Sequence, residues 1–169
     1  MTGPGPVVRA MRPDDWDAVR AIYLEGIESG NATFETEAPN REAWDAARRA
    51  DCRLVAEREG RVVGFAVLSP TSSRPVYRGV CEVMVYVGAA ARGLGIGAAL
   101  MRTLVAESER AGVWTLQAGV FPENTASIRV HEGVGFREVG RRRAVGQFHD
   151  GRWRDVVLLE RRSEVVGAG

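Results

Sequence analysis

One glycine-rich turn, one carboxylate inside an apolar strand and one helical histidine carry the chemistry legible in this chain of 169 residues. The turn is Arg92-Gly93-Leu94-Gly95-Ile96-Gly97-Ala98, fed by the run Val83 to Val87 and opening into an apolar helix. Its three glycines let the backbone approach a ligand without Cβ obstruction. The first N–H groups of a helix lack internal partners and carry partial positive charge, so the turn reads as an anion cradle, with pyrophosphate its natural guest. A tight strand-to-helix turn with no ligand would have the same sequence.

Glu82 stands in the strand ahead of that turn, where a carboxylate is costly unless exposed, paired or used. Burial would make it a stronger base, while alternation along a half-buried strand would simply turn it to solvent. His131 shares a helical face with Asn124 and Ser127 at spacing i, i+3, i+7, and an imidazole relays protons in either direction near neutrality. A packed structural histidine is the plain alternative. His149 lies in a polar Asp-Gly loop and reads as surface or pocket rim. Cys81 neighbours Glu82, but strand alternation points it to the opposite face.

The elements that must position these groups follow from periodicity. Val7 to Met11 reads as a strand, and Pro13-Asp14-Asp15 opens a helix with Trp16, Val19, Ile22, Tyr23 and Ile27 on one face. Gly30-Asn31 breaks it, Asn40 to Ala50 reads as a second helix, and Arg53 to Glu57 with Val62 to Leu68 form a hairpin about Glu59-Gly60. After the polar loop Ser69 to Arg78 come strand Val80 to Val87, the glycine turn, a helix to about Ala111, strand Thr115 to Val120 and a helix from Asn124 to Val134. Two strands, about Glu138 to Val145 and Trp153 to Glu160, end the pattern. Strands outnumber helices and run in mixed directions, so the expected fold class is α/β, built on a mixed sheet flanked by helices.

Length and a 45% hydrophobic, 27% charged composition suit one domain spanning 1–169, with its core at about 7–160 and flexible termini. The tail Ser163 to Gly169 is expected to fray. A formal charge of +1 argues against nucleic acid or an anionic membrane as partner and favours small-molecule work. Every basic residue is Arg, which excludes a lysine Schiff base. Cys52 and Cys81 fall inside expected strands with no metal-ligand spacing around them, so they read as buried reduced thiols in a cytoplasmic protein, and no metal is expected. Met1 to Pro6 has neither a basic nor an apolar stretch and no later apolar run approaches membrane-spanning length, so neither export nor anchoring is expected.

Gly93-Leu94-Gly95-Ile96-Gly97-Ala98 also satisfies G-x-G-x-x-A, the dinucleotide fingerprint. A dinucleotide fold would place this turn after its first strand and an acid about twenty residues on, whereas here it sits mid-chain and the strand Thr115 to Val120 ends without one.

Arg92-x-x-Gly95-x-Gly97 after Val85-Tyr86-Val87 instead resembles the pyrophosphate motif of the GNAT family of N-acetyltransferases. Asn124-Thr125-Ala126-Ser127 with Gly135-Phe136 resembles that family's N-x-x-S helix ending in Gly-Phe. Asn31 to Glu37, Glu82, and Gly151-Arg152-Trp153-Arg154-Asp155-Val156 are similar to the phosphinothricin acetyltransferase group, and the likeness runs from about Val8 to Leu159.

The resemblance implies a mostly antiparallel sheet whose strands splay at the cofactor site, acetyl-CoA as co-substrate, direct acetyl transfer to a primary amine, and a homodimer. It implies pyrophosphate contacts from Arg92, Gly93, Leu94, Gly95, Ile96, Gly97 and Ala98, and an oxyanion donor on Val85, Tyr86 or Val87. Asn124 and Ser127 would meet the pantetheine arm, though Asn124 also reads as a helix N-cap. Glu82 would be the general base, assisted by His131.

For the acceptor, the group resemblance points to Phe34, Arg74 and Tyr77, with Arg74 holding a substrate carboxylate. An exposed surface Arg74 and a core-packed Phe34 are the alternatives. Val83 and Met84 replace small polar residues of that group, and the loop Gly146 to Gly151 is a residue longer, so the amine is less well specified than acetyl-CoA. A protein N-terminus or polyamine as acceptor, and a non-catalytic acyl-CoA-binding module, are the rival readings.

Overall fold

The computed structural model describes residues 3–168. In chain order the elements are β1 Val7–Ala10, α1 Trp16–Glu28, α2 Arg41–Ala47, β2 Leu54–Arg58, β3 Arg61–Pro70 and β4 Val80–Val87, followed by α3 Ile96–Arg110, β5 Thr115–Val120, α4 Thr125–Glu132, β6 Arg137–Gln147 and β7 Trp153–Arg162. The strands form one seven-stranded sheet of order β1-β2-β3-β4-β5-β7-β6, in which only β4 and β5 run parallel. The α/β class with a mixed, mostly antiparallel sheet is therefore the one present.

Each face of the sheet carries its own core, and the two-residue period of β3 and β4 assigns side chains to them. Phe65 and Val67 of β3 join Val19, Ile22, Tyr23 and Trp44 beneath α1 and α2, with Met84 and Tyr86 of β4 packed alongside. Ala66 and Leu68 join Cys81, Val83, Leu100 and Leu104 beneath α3. Glu82 thus belongs to the α1 face with Met84 and Tyr86, and Cys81 to the α3 face, as alternation requires.

Local signals account for most element ends. The Asn40 side chain accepts the Ala43 N–H at 2.9 Å and starts α2. Glu59 and Gly60, at φ 52° and 74°, close the β2–β3 hairpin in the mirror-image turn that suits its twist. Three expectations fail. The second helix stops at Ala47 because Arg48 is extended (φ −118°, ψ 152°). Cys52 lies outside a strand, in the bend before β2 at φ 55°.

The tail does not fray at Ser163. That residue is buried, its Oγ donates to Glu109 at 2.8 Å, and it accepts the Val165 and Val166 amides, while Arg162 binds the Val166 and Gly167 carbonyls. Gly169 and the first two residues lie outside the described range.

At Gly26 α1 lies close upon the sheet. A Cβ there would meet the Tyr86 ring at 2.4 Å, and Tyr86 is stacked on Phe65 (centroids 5.4 Å, 9°). Gly26→Ala is expected to cost about 1–3 kcal/mol through overpacking. Thermal melting should show a fall of several degrees, and an unchanged melting temperature would contradict this packing.

Candidate active site

The site is built on a break in the sheet. β4 and β5 pair only at Val80↔Thr115, Cys81↔Leu116 and Glu82↔Gln117. Beyond them β4 stays with β3 as far as Gly64↔Val87, and β5 stays with β7 as far as Val120↔Val157. The strands diverge, and alternate residues of Val83 to Val87 turn backbone N–H and C=O groups toward the gap.

Two cavities occupy the opening, of about 380 Å³ at the glycine turn and about 300 Å³ beside Glu82. They share Ala32, Val85, Tyr86, Asn124 and Ser127 as walls, so they adjoin along one cleft.

At the glycine turn, Gly93 and Gly95 hold φ 77° and 78°, with open space where a Cβ would stand. Gly95 is the N-cap of α3 without a side-chain cap, and the first backbone bond it accepts comes from Ala99 N at 3.1 Å. The amides of Ile96, Gly97 and Ala98 precede that bond and are available to an anion. Arg92, Gly93, Gly95, Ile96, Gly97 and Ala98 line this cavity with Val87, whereas Leu94 does not and leaves 46% of its surface in solvent. The turn is moored to α1 through Glu25, whose Oε2 accepts the Ala89 N–H at 2.6 Å.

His131 is 2% exposed. Its Nδ1 lies 2.7 Å from the Ser127 carbonyl oxygen, which can only accept, so Nδ1 carries the proton and Nε2 presents its lone pair. Among the described residues Nε2 is buried with no partner, and His131 lines the cavity beside Glu82. Burial lowers the His131 pKa from its ordinary 6.5, opposed by the Ser127 carbonyl bond. The ring is therefore neutral and able to take a proton at pH 7.

Glu82 lines the same cavity but is exposed, so of the two alternatives left open by the sequence the solvent-facing one holds. It is the third residue of β4, at the cavity's mouth. Cys81 is inert by contrast: burial raises its thiol pKa, and it faces the other core.

Asn124 does two jobs. Its Oδ1 accepts the Ser127 amide at 3.2 Å, capping α4, and its Nδ2 donates to the Asn31 carbonyl at 3.1 Å. Arg154 grips the same segment through the Gly30 carbonyl at 2.5 Å, with its guanidinium 3.5 Å over the Phe121 ring and 5.0 Å over Phe148. The stretch Asn31 to Glu35 is thereby held over the cleft. Phe34 stands edge-on to Phe121 (4.9 Å, 83°), and Gly146 is the close approach that admits it, since a Cβ there would lie 2.5 Å from Phe34.

Phe121 and Arg154 were not picked out as site residues from sequence. For Arg154 the signal existed, a charge inside an otherwise apolar strand, as with Glu82. Arg74 and Tyr77 line neither cavity. They flank an exposed 3-10 turn started by Pro75, with the Arg74 guanidinium 5.5 Å over the Tyr77 ring, so the expected carboxylate clamp is not assembled within the chain. His149 is exposed and likewise outside the cleft.

Residues 16–136 match the Acetyltransferase (GNAT) family. The chain belongs to this family. It is 39% identical over 165 residues to a phosphinothricin N-acetyltransferase of Alcaligenes faecalis, covering 91% of this chain and 81% of that protein. It is 35% identical over 151 residues to an L-methionine sulfoximine/L-methionine sulfone acetyltransferase of Salmonella typhimurium, covering 86% and 88%. A GNAT superfamily phosphinothricin acetyltransferase of Sinorhizobium meliloti in complex with AcCoA superposes at TM-score 0.87 with 29% identity, covering 98% of this chain and 92% of that one.

The chain is thus an acetyl-CoA-dependent N-acetyltransferase, and the residues present fit that co-substrate. Free amides at the start of α3 suit its pyrophosphate, and the parted β4–β5 backbone supplies donors and acceptors for its amide-bearing arm.

Gly95→Val should weaken acetyl-CoA binding at least tenfold, about 1.4 kcal/mol, because a β-branched residue resists φ near 78° and the turn must shift. Isothermal titration reads this, and unchanged affinity would remove the turn from the binding site.

Proposed function

We propose that this enzyme moves the acetyl group of acetyl-CoA directly to the primary amine of a small amino-acid-like acceptor of the phosphinothricin, methionine sulfoximine or methionine sulfone type. The observation that carries the reading is His131, with Nε2 buried and unpartnered among the described residues, lining a cavity that also holds Glu82 and adjoins the anion cradle. The relatives' names supply the class of acceptor.

Arg92 and the backbone of Gly93 to Ala98 would hold the pyrophosphate, and Ser127, with Asn124 shaping the turn, would border the pantetheine arm. The acceptor amine attacks the thioester carbonyl, the C–S bond breaks, and the thiolate leaves. Backbone N–H groups of Val85 to Val87 that face the gap stabilise the charge developing on the carbonyl oxygen. An ammonium must first lose a proton, and His131 Nε2 accepts it, with Glu82 relaying from the mouth through water. The imidazolium passes that proton through Glu82 and water to solvent. His131 then takes the second proton, shed by the attacking nitrogen as the amide forms, and delivers it to the departing thiolate. Phe34 forms the aromatic wall of the acceptor pocket with Phe121. Homodimer assembly and a cytoplasmic location are carried by the family resemblance, and sedimentation velocity tests the former.

A thiol-release assay with phosphinothricin, methionine sulfoximine, methionine sulfone, polyamines and peptides decides the class. Turnover of the first three is expected, and tight acetyl-CoA binding with no turnover of any amine would falsify the enzyme reading. His131→Gln should lower kcat roughly 10²–10⁴-fold with little change in acetyl-CoA affinity, and Glu82→Gln should lower it less.

The sign of the pH dependence follows from His131. Its folded pKa lies below 6.5, and the neutral form is the active one, so kcat/KM should fall as pH drops through a limb centred below 6.5. Persistence of that limb in His131→Gln would assign it to another group.

A further inference from the structure

One wall of the acceptor cavity is the part of β4 that carries Glu82, Met84 and Tyr86 at alternate positions, and all three line it. Met84 stands between the other two. It lines this cavity and not the one at the glycine turn, so it belongs to the acceptor's side of the cleft.

A methionine wall is usually soft, because an unbranched thioether with three rotatable bonds turns aside for a larger guest. Here the side chain is backed. Arg48 Nη2 donates to Met84 Sδ at 3.7 Å, and the Arg48 guanidinium lies 3.9 Å over the Trp44 ring. Trp44 is 1% exposed and stands edge-on to both Tyr23, at 5.7 Å, and Phe65, at 5.4 Å. The strand partner of Met84 is Val67, itself fully buried. Sulfur, guanidinium and indole are thus layered onto a packed core, and interiors packed as densely as crystals leave a side chain no room to retreat. The aromatic wall is fixed as well, with Phe34 edge-on to Phe121 and closely approached by Gly146. A cavity of about 300 Å³, at the small end for a ligand site, therefore keeps its size.

An amino-acid acceptor orients itself in such a cavity by polarity. Its amine must reach the thioester and His131, and its carboxylate keeps to the mouth at the start of β4, where water reaches. The far end of its side chain is left to the apolar walls of Met84, Phe34 and Phe121. In phosphinothricin, methionine sulfoximine and methionine sulfone that end is a methyl group on a tetrahedral phosphorus or sulfur.

We infer that Met84 sets the length of side chain an acceptor can carry, closing the pocket just beyond that terminal methyl. This rests on the acetyl-transfer reading above and names what limits the substrate.

The test is steady-state kinetics at saturating acetyl-CoA with methionine sulfoximine and its S-ethyl and S-butyl homologues, in which only the methyl is lengthened. A hydrophobic pocket discriminates a single methylene by roughly 10–200-fold, so wild-type kcat/KM should fall at least about tenfold from methyl to butyl. Met84→Ala removes as many heavy atoms as separate butyl from methyl. It should bring the two acceptors within about threefold of each other and lower kcat/KM for methionine sulfoximine itself. KM for acetyl-CoA should stay within about twofold, because Met84 does not line the cavity at the glycine turn.

Met84→Leu, of similar volume, should keep the methyl preference. Met84→Val, shorter and suited to a strand, carries the comparison if the Ala variant melts early. A wild type that turns over the methyl and butyl acceptors alike, or shortened variants that keep the wild-type preference, would overturn the assignment. A wild type that acetylates none of these acceptors would instead sink the reading on which it rests.

Discussion

Three residue pairs join β4 to β5, and the cleft exists because a fourth is missing. Each strand is stabilised on its outer side, β4 by seven pairs with β3 and β5 by six with β7, so neither needs the other to remain a strand. The right-handed twist of neighbouring strands then carries them apart once direct pairing stops. Sheet hydrogen bonding is normally satisfied on both sides of an interior strand, and the groups left over in Val83 to Val87 are the ones a ligand can take. α3 and α4 lie at this opening, and that placement brings the start of α3 and the buried face of α4 to one cleft.

The roof of the cleft is held by an arginine whose energetics favour rings over its acid partner. Arg154 approaches Glu123 at 3.3 Å, but Glu123 is 66% exposed, and an ion pair of that kind contributes about 0–1 kcal/mol. Its guanidinium, only 10% exposed, sits 3.5 Å over Phe121, where a desolvated cation–π contact is worth about 2 kcal/mol. The same arginine binds the Gly30 carbonyl and so ties the chain after α1 to β7. Arg154 together with Asn124 thus holds the chain after α1 over the cleft, and neither belongs to the glycine turn.

Glu82 and His131 differ in environment, and the proposed division of acid–base work follows from that difference. An orphaned buried acceptor such as His131 Nε2 costs about 1–3 kcal/mol, a deficit that cores rarely tolerate without a use. Burial keeps the imidazole neutral, and the Ser127 carbonyl selects the tautomer that leaves Nε2 open. Glu82, exposed at the mouth, remains in contact with solvent and suits exchange of protons with it.

Much of this was legible in the chain itself. The cradle could be read because its requirements are local: positive φ at Gly93 and Gly95, and free amides at a helix start, are properties of seven consecutive residues. The capping role of Asn124, the shared face of Asn124, Ser127 and His131, and the opposed faces of Glu82 and Cys81 follow from helix and strand periods. The rest depends on distant contacts. Whether Glu82 is buried, whether Ser163 frays or packs on Glu109, and whether Arg74 reaches the cavity beside Glu82 are set by what lies across the sheet. Arg154 looks like one more charge in an arginine-rich stretch until the Phe121 ring and the Gly30 carbonyl are brought to it. Short-range geometry belongs to sequence because the backbone's allowed conformations and periods enforce it. Burial, pairing and access belong to tertiary structure because they are sums over neighbours that the chain order does not name.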